Sequence, residues 1–278
     1  MADQAFVDFL RWSLPQLRLR WPGYRKVRRL VAKRLSKRIA ELGLPDLAAY
    51  RRFLAERPSE WARFDALCRI PISRFYRDRG VFDAIARQIL PEAAALATAR
   101  GDDKVRCWSA GCASGEEPYT LAMAWRFCVA ERWPGLGLAV IATDAEETML
   151  ERAKAGCYGR SSLKDLPEEW RERGFARRGP FFCLAGEFRR DVEFELQDIR
   201  ETMPDGPFDV VLCRNLAFTY FDEALQRRIL DRLRERVSPG GFLVLGSHEV
   251  LPAGDGGFAP IAAKLPIYRL QTQTPARS

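Results

Sequence analysis

Two textures of apolar and polar positions divide the 278-residue chain. In the first third, Val27, Leu30, Val31, Leu35 and Ile39 recur at steps of three and four, the period that lays one buried stripe along a helix. Gly43 is a stop signal, Asp46 opens another helix through Leu54, and a third is predicted from Ser59 to about Cys68. After Gly101 short continuous apolar runs take over: VRCWSAG (105–111), LAVIATD (138–144), VEFELQD (192–198), FDVVLCRN (208–215) and GFLVLGS (241–247). Helical patterns such as Pro118–Ala130 and Glu223–Val237 separate most of them. Strands without polar alternation are buried on both faces, which predicts a mainly parallel sheet covered by helices. FAPIAA (258–263) and PIYRLQ (266–271) lie too close for a crossover helix and predict a hairpin with one antiparallel strand. Residues 163–190 hold Pro167, Gly174, Gly179, Pro180 and Gly186 among paired aromatics, and predict a small inserted β-subdomain. The expected architecture is α/β: a small all-α domain with its linker (1–95), then a Rossmann-like sheet domain (96–278) carrying the insertion.

Charge changes this picture locally. The net charge is +8, yet ten Lys and Arg and no acid fall from Arg18 to Arg38, so one segment carries the basicity. Such a stripe suits an acidic protein helix or a phosphate backbone, and charge alone does not choose. The seven cysteines (68, 107, 112, 128, 157, 183, 213) make no C-x-x-C, and His248 is the single histidine, so no metal site is expected. All seven are read as reduced, mostly buried thiols. No apolar stretch is long enough to span a bilayer and no signal pattern opens the chain, so a cytoplasmic protein without membrane insertion is expected.

The chemistry concentrates where VRCWS runs into AGCASGEEPYTLAMAW. Gly111 and Gly115 free the backbone at a strand's carboxyl end with a helix following at once, the place where open α/β sheets bind nucleotide-like ligands. The pattern is not G-x-G-x-x-G, and Glu116 and Glu117 would repel a diphosphate. A cationic ammonium or ribose hydroxyls suit these acids better. The plainer reading is a tight turn with helix-starting acids. Asp144, ending VIATD, is placed to accept from both ribose hydroxyls, or to cap the helix that follows.

Taken in order, PISRFYRD (71–78), WSAGCASGEEPYTLAM (108–123), ATDAEETMLERAKAGCYGR (142–160), FDVVLCRN and VSPGGFLVLG (237–246) resemble the CheR family of chemoreceptor glutamate methyltransferases. The basic helix RRLVAKRLSKRIAELGL (28–44) extends the resemblance over nearly the whole chain. It implies a methyltransferase sheet, S-adenosylmethionine as cofactor and S-adenosylhomocysteine as product. Cofactor contacts would fall on Ser73, Arg77, Gly111, Glu117, Asp144, Asp198, Ile199, Asn215 and Leu216. Arg77 and Tyr220 would stand nearest the transfer. The basic helix would meet glutamate-rich receptor helices through Arg28, Arg34 and Arg38, with no nucleic acid and a monomeric enzyme expected. Three departures lie toward the acceptor side. Pro71 replaces a polar residue, LCRNLAFTYFD is one residue longer than C-R-N-x-x-I-Y-F, and GSHEV stands for G-H-S-E. The rival readings are the same enzyme with another acceptor, and an idle cofactor-sensing protein.

Overall fold

A computed structural model describes residues 3–254 and 257–271. The chain forms two compact units, Met1–Ile70 with Thr219–Gln226, and Pro71–Phe218 with Arg227–Ser278.

In the smaller unit the predicted stripe lies on the helix Arg28–Glu41, where Val31, Leu35 and Ile39 are buried. Asp46 accepts from the Ala49 N–H at 2.7 Å and starts the helix Leu47–Glu56, followed by Pro58–Cys68. Their apolar faces meet the helix Asp3–Ser13 around Phe9, Tyr50 and Phe64, with ring centroids 5.5–6.3 Å apart. The later segment joins this unit through a bridge between Leu19 and Phe221 and an Arg18–Asp222 ion pair at 2.5 Å.

The larger unit is built on a seven-stranded sheet. Its strands are β1 (Lys104–Ala110), β2 (Gly137–Asp144), β6 (Val192–Leu196), β7 (Phe208–Leu212), β8 (Val237–Val244), β9 (Phe258–Pro260) and β10 (Ile267–Leu270), in the order β6-β2-β1-β7-β8-β10-β9. The first five are mutually parallel, and β10 is antiparallel to both β8 and β9, as the closely spaced final runs require. Every residue of β7 is buried, the signature of a central strand covered on both faces. The chain order reverses across the β1/β7 pair, so the carboxyl ends of these strands border the crevice where such sheets take ligands.

Three expectations are corrected. The division at 95/96 falls inside the helix Leu90–Arg100, and the units part at 70/71. That helix buries Leu90, Ala93, Ala94 and Ala97 in the sheet core, so a helical period did not signal the end of the helical unit. The insertion begins before residue 163. It is a three-stranded sheet of β3 (Cys157–Gly159), β4 (Phe175–Arg178) and β5 (Phe181–Leu184), in the order β3-β5-β4. Antiparallel pairing sets Cys157 opposite Cys183, and the two form a disulfide, so not all seven cysteines are thiols. Among the described residues, no helix is long and apolar enough to cross a membrane.

Candidate active site

The turn after β1 is shaped by backbone conformations that ordinary residues avoid. Gly111, Ala113 and Gly115 have φ of 74°, 47° and 90°. A side chain at Gly111 would begin 2.6 Å from Leu216 Cδ2, so the glycine lets the end of β7 close over the turn. The Gly111 and Cys112 N–H groups donate to the Thr143 carbonyl at 2.8 and 3.0 Å, and Ala113 N–H donates to Asp144 Oδ2 at 2.8 Å. The other Asp144 oxygen accepts from Glu146 N–H at 2.9 Å. Asp144 thus braces the local backbone at the carboxyl end of β2, and the N-cap of the following helix is Glu146.

Glu117 lies one turn further on and is held from two sides. Ser109 Oγ donates to Oε1 at 2.8 Å and Arg214 Nη1 donates to Oε2 at 2.8 Å. Each oxygen of an ionised carboxylate has a second acceptor position, so a ligand cation still finds a partner here. Its neighbour Glu116 points inward, bonded by Ser114 Oγ, and burial pushes its carboxyl above the usual range. The two adjacent acids are thus not equivalent.

Arg214 was absent from the expected site residues although its neighbours were chosen. Its side chain is 2% exposed. Nη2 donates to the Arg77 carbonyl at 2.9 Å and to Asp78 Oδ2 at 2.8 Å, and the guanidinium lies 4.9 Å from the centre of the Phe82 ring. Arg77 sits between Tyr76 and Asp78, both at positive φ (56° and 62°), and its own Nη1 donates to the Ile72 carbonyl at 2.6 Å. Ser73 and Pro71 are half-buried in the same segment, which is held by bonds from Phe75 N–H to Ser162 O and from Tyr76 N–H to Thr120 Oγ1.

Asn215, also at positive φ (54°), donates its N–H to Glu249 Oε2 at 2.7 Å, and Gly246 N–H donates to the same oxygen at 2.7 Å. Glu249 is 5% exposed. Its position was legible only as the last letter of GSHE, and its partners depend on β7 and β8 lying side by side. His248 is exposed. After β6, Gln197 N–H donates to the Asp144 carbonyl at 3.0 Å, which brings Asp198 and Ile199 toward the β2 end. Asp198 is forked by Arg200, at 3.0 Å from Nε and 2.6 Å from Nη2, and Ile199 is buried.

Glu117, Asp144, Gly111, Asn215 and Leu216, with the Arg77 backbone, are therefore brought together at the carboxyl edge of the sheet, and Asp198 and Ile199 flank them. Tyr220 lies in the smaller unit, half-buried against Tyr24 with ring centroids 5.1 Å apart. It ends the short helix Ala217–Tyr220.

The three arginines expected to meet an acceptor are engaged inside the smaller unit. Arg38 forks Glu60 at 2.9 and 2.8 Å, and Tyr50 donates to the same carboxylate. Arg34 Nη1 donates to the carbonyls of Leu67 and Arg69 at the end of a helix, and Arg28 forks Asp3. Arg29, Lys33 and Lys37 are the exposed cations of this helix.

These residues suit a ligand carrying an ammonium and ribose hydroxyls. Three N–H groups of the glycine turn are spent on β2, so the turn is not a phosphate cradle.

The chain is similar to the family described as CheR methyltransferase, SAM binding domain, over residues 72–265. It is 33% identical to a chemotaxis protein methyltransferase of Listeria monocytogenes over 199 residues, which covers 71% of this chain and 72% of the relative. A Vibrio anguillarum chemotaxis protein methyltransferase is 31% identical over 265 residues, 90% of each. An uncharacterized 104.1 kDa protein of Rhodobacter capsulatus is 34% identical over 241 residues, and this chain spans 25% of its length.

Proposed function

Because this chain belongs to the CheR methyltransferase family, we propose that it methylates glutamate carboxylates on the signalling helices of chemoreceptors, in the cytoplasm. The observation that supports this most is the paired acids: Glu117 clamped by Ser109 and Arg214, and Asp144 at the end of the adjacent strand.

S-adenosylmethionine supplies a methyl group already activated by the sulfonium, which leaves with the sulfur's bonding pair retained in S-adenosylhomocysteine. A glutamate carboxylate is a nucleophile at neutral pH, so no residue is needed as general base. The task of the chain is alignment and exclusion of water, and orientation supplies most of the rate. Glu117 takes the ammonium of the donor and Asp144 its ribose hydroxyls, with Asp198 and Ile199 at the adenine edge. Ser73, Gly111, Asn215 and Leu216 line the donor, and Arg77 orients the reacting groups. The acceptor helix is acidic and meets the exposed Arg29, Lys33 and Lys37; Arg34 and Arg38 are spent on internal partners, and Arg28 is shared with Asp3.

Incubation with methyl-labelled cofactor and receptor-containing membranes, followed by mild alkali, tests the reading. Carboxyl methyl esters release the label as volatile methanol. Label that stays non-volatile overturns the carboxyl acceptor, and cofactor binding without turnover overturns the enzyme.

A further inference from the structure

We infer that Arg214 is a positioning residue that couples recognition of the methyl donor to the placement of Arg77. This rests on the proposed function for the roles of Glu117 and Arg77, but its first readout, cofactor affinity, needs no acceptor.

The guanidinium touches two segments that are remote in sequence, 97 and 137 residues away. One arm holds the acid that faces the donor; the other holds the backbone and side chain on either side of the Arg77–Asp78 peptide. A buried cation demands acceptors, and this one is met by two carboxylates and a carbonyl. One positive charge between two negative ones leaves the cluster net negative, which keeps Glu117 attractive to an ammonium.

The second arm has strained backbone to hold. Tyr76 and Asp78 both lie in the left-handed region, unfavourable for side-chain-bearing residues. The hydrogen bonds of Arg214 to Arg77 O and Asp78 Oδ2 lock the turn so that Arg77 projects from a fixed point. Lysine cannot replace this arrangement, because a single ammonium does not span a flat fork to three acceptors while stacking on Phe82. Arg214 immediately precedes Asn215, whose N–H is fixed by Glu249, so the root of the fork is anchored too.

The test compares wild type, Arg214→Lys and Asp78→Asn, with active sites counted by bound S-adenosylhomocysteine. In Asp78→Asn the Glu117 arm survives: affinity should stay within about threefold while kcat falls at least about tenfold at little-changed acceptor KM. Arg214→Lys weakens both arms: affinity should fall about tenfold and kcat about 100-fold. Hydrogen exchange of residues 71–78 should slow when S-adenosylhomocysteine binds wild type, and should not respond in Arg214→Lys. If both variants only melt earlier, with kcat per site, affinity and the exchange response unchanged, the coupling is wrong and Arg214 is merely structural. Should Arg214→Lys fail to fold, Asp78→Asn decides by the same kcat-against-affinity split. If wild type binds the product but methylates no carboxylate, the acceptor assignment fails, whereas the exchange response still decides the coupling.

Discussion

The turn after β1 and the helix Arg28–Glu41 use charge in opposite ways. At the turn, Glu117 and Asp144 are held by N–H, hydroxyl and guanidinium groups at the open carboxyl edge of a parallel sheet. On the helix, Arg34 and Arg38 turn back into their own unit and satisfy buried or helix-end acceptors. The density of charge is higher on the helix, yet the fixed polar geometry is at the turn. A run of cations mixes structural and exposed members, because every third or fourth position of an amphipathic helix borders the buried stripe. The lesson is that spacing around a strand end locates fixed polar geometry better than charge density does.

The sharpest break of this comparison is at the turn. Glu117→Ala or Asp144→Ala should each lower affinity for S-adenosylhomocysteine about 100-fold or more, since each removes charge-assisted hydrogen bonds of about 1.5–3 kcal/mol apiece. Titration calorimetry measures this, and unchanged affinity would show the turn to be structural only.

On the helix, Arg38→Ala should act on stability. Removing it leaves Glu60, 6% exposed, with only Tyr50 of its two side-chain donors, at a cost of about 3 kcal/mol in urea unfolding. Cofactor affinity should not change.

Acid sharpens the same point. The hydrogen bonds from Arg38 hold the Glu60 carboxyl below its ordinary value, despite its burial. A depressed carboxyl contributes stability that is complete above the unfolded value, about 4.3, and is lost as pH falls through the folded value. The gap in melting temperature between wild type and Arg38→Ala should therefore be full near neutrality and narrow in acid.

The smallest stability effect is expected at the exposed cations. Lys33→Glu with Lys37→Glu should leave unfolding within about 0.5 kcal/mol of wild type. Acceptor KM should rise about tenfold, and most at low salt, because exposed charges are screened over about 10 Å at 0.1 M. An unchanged KM would remove this face from acceptor recognition.

Much of the frame was legible from local rules. The apolar runs became β1, β2, β6, β7 and β8, and the close final pair became the β9–β10 hairpin, since burial on both faces leaves a continuous apolar signal. Gly111 was legible as a glycine at a strand's carboxyl end, and the structure adds the reason, a positive φ beneath Leu216. Other features were not. The unit boundary was missed because the helix Leu90–Arg100 has the same period whichever core it serves. The Cys157–Cys183 pair depends on the register of two strands that the local pattern does not set.

The sequence by itself determined the order of strands and helices along the chain, the glycine turn after β1 and the acids beside it, because these depend on periodicity and on neighbours a few residues apart. Only the tertiary structure decided which charges are spent. Arg214 reaches Glu117 and Asp78, Glu249 holds Asn215, and Arg38 is consumed by Glu60. Each of these pairings joins segments tens of residues apart, and a buried charge takes whichever partner the packed fold brings within hydrogen-bond reach.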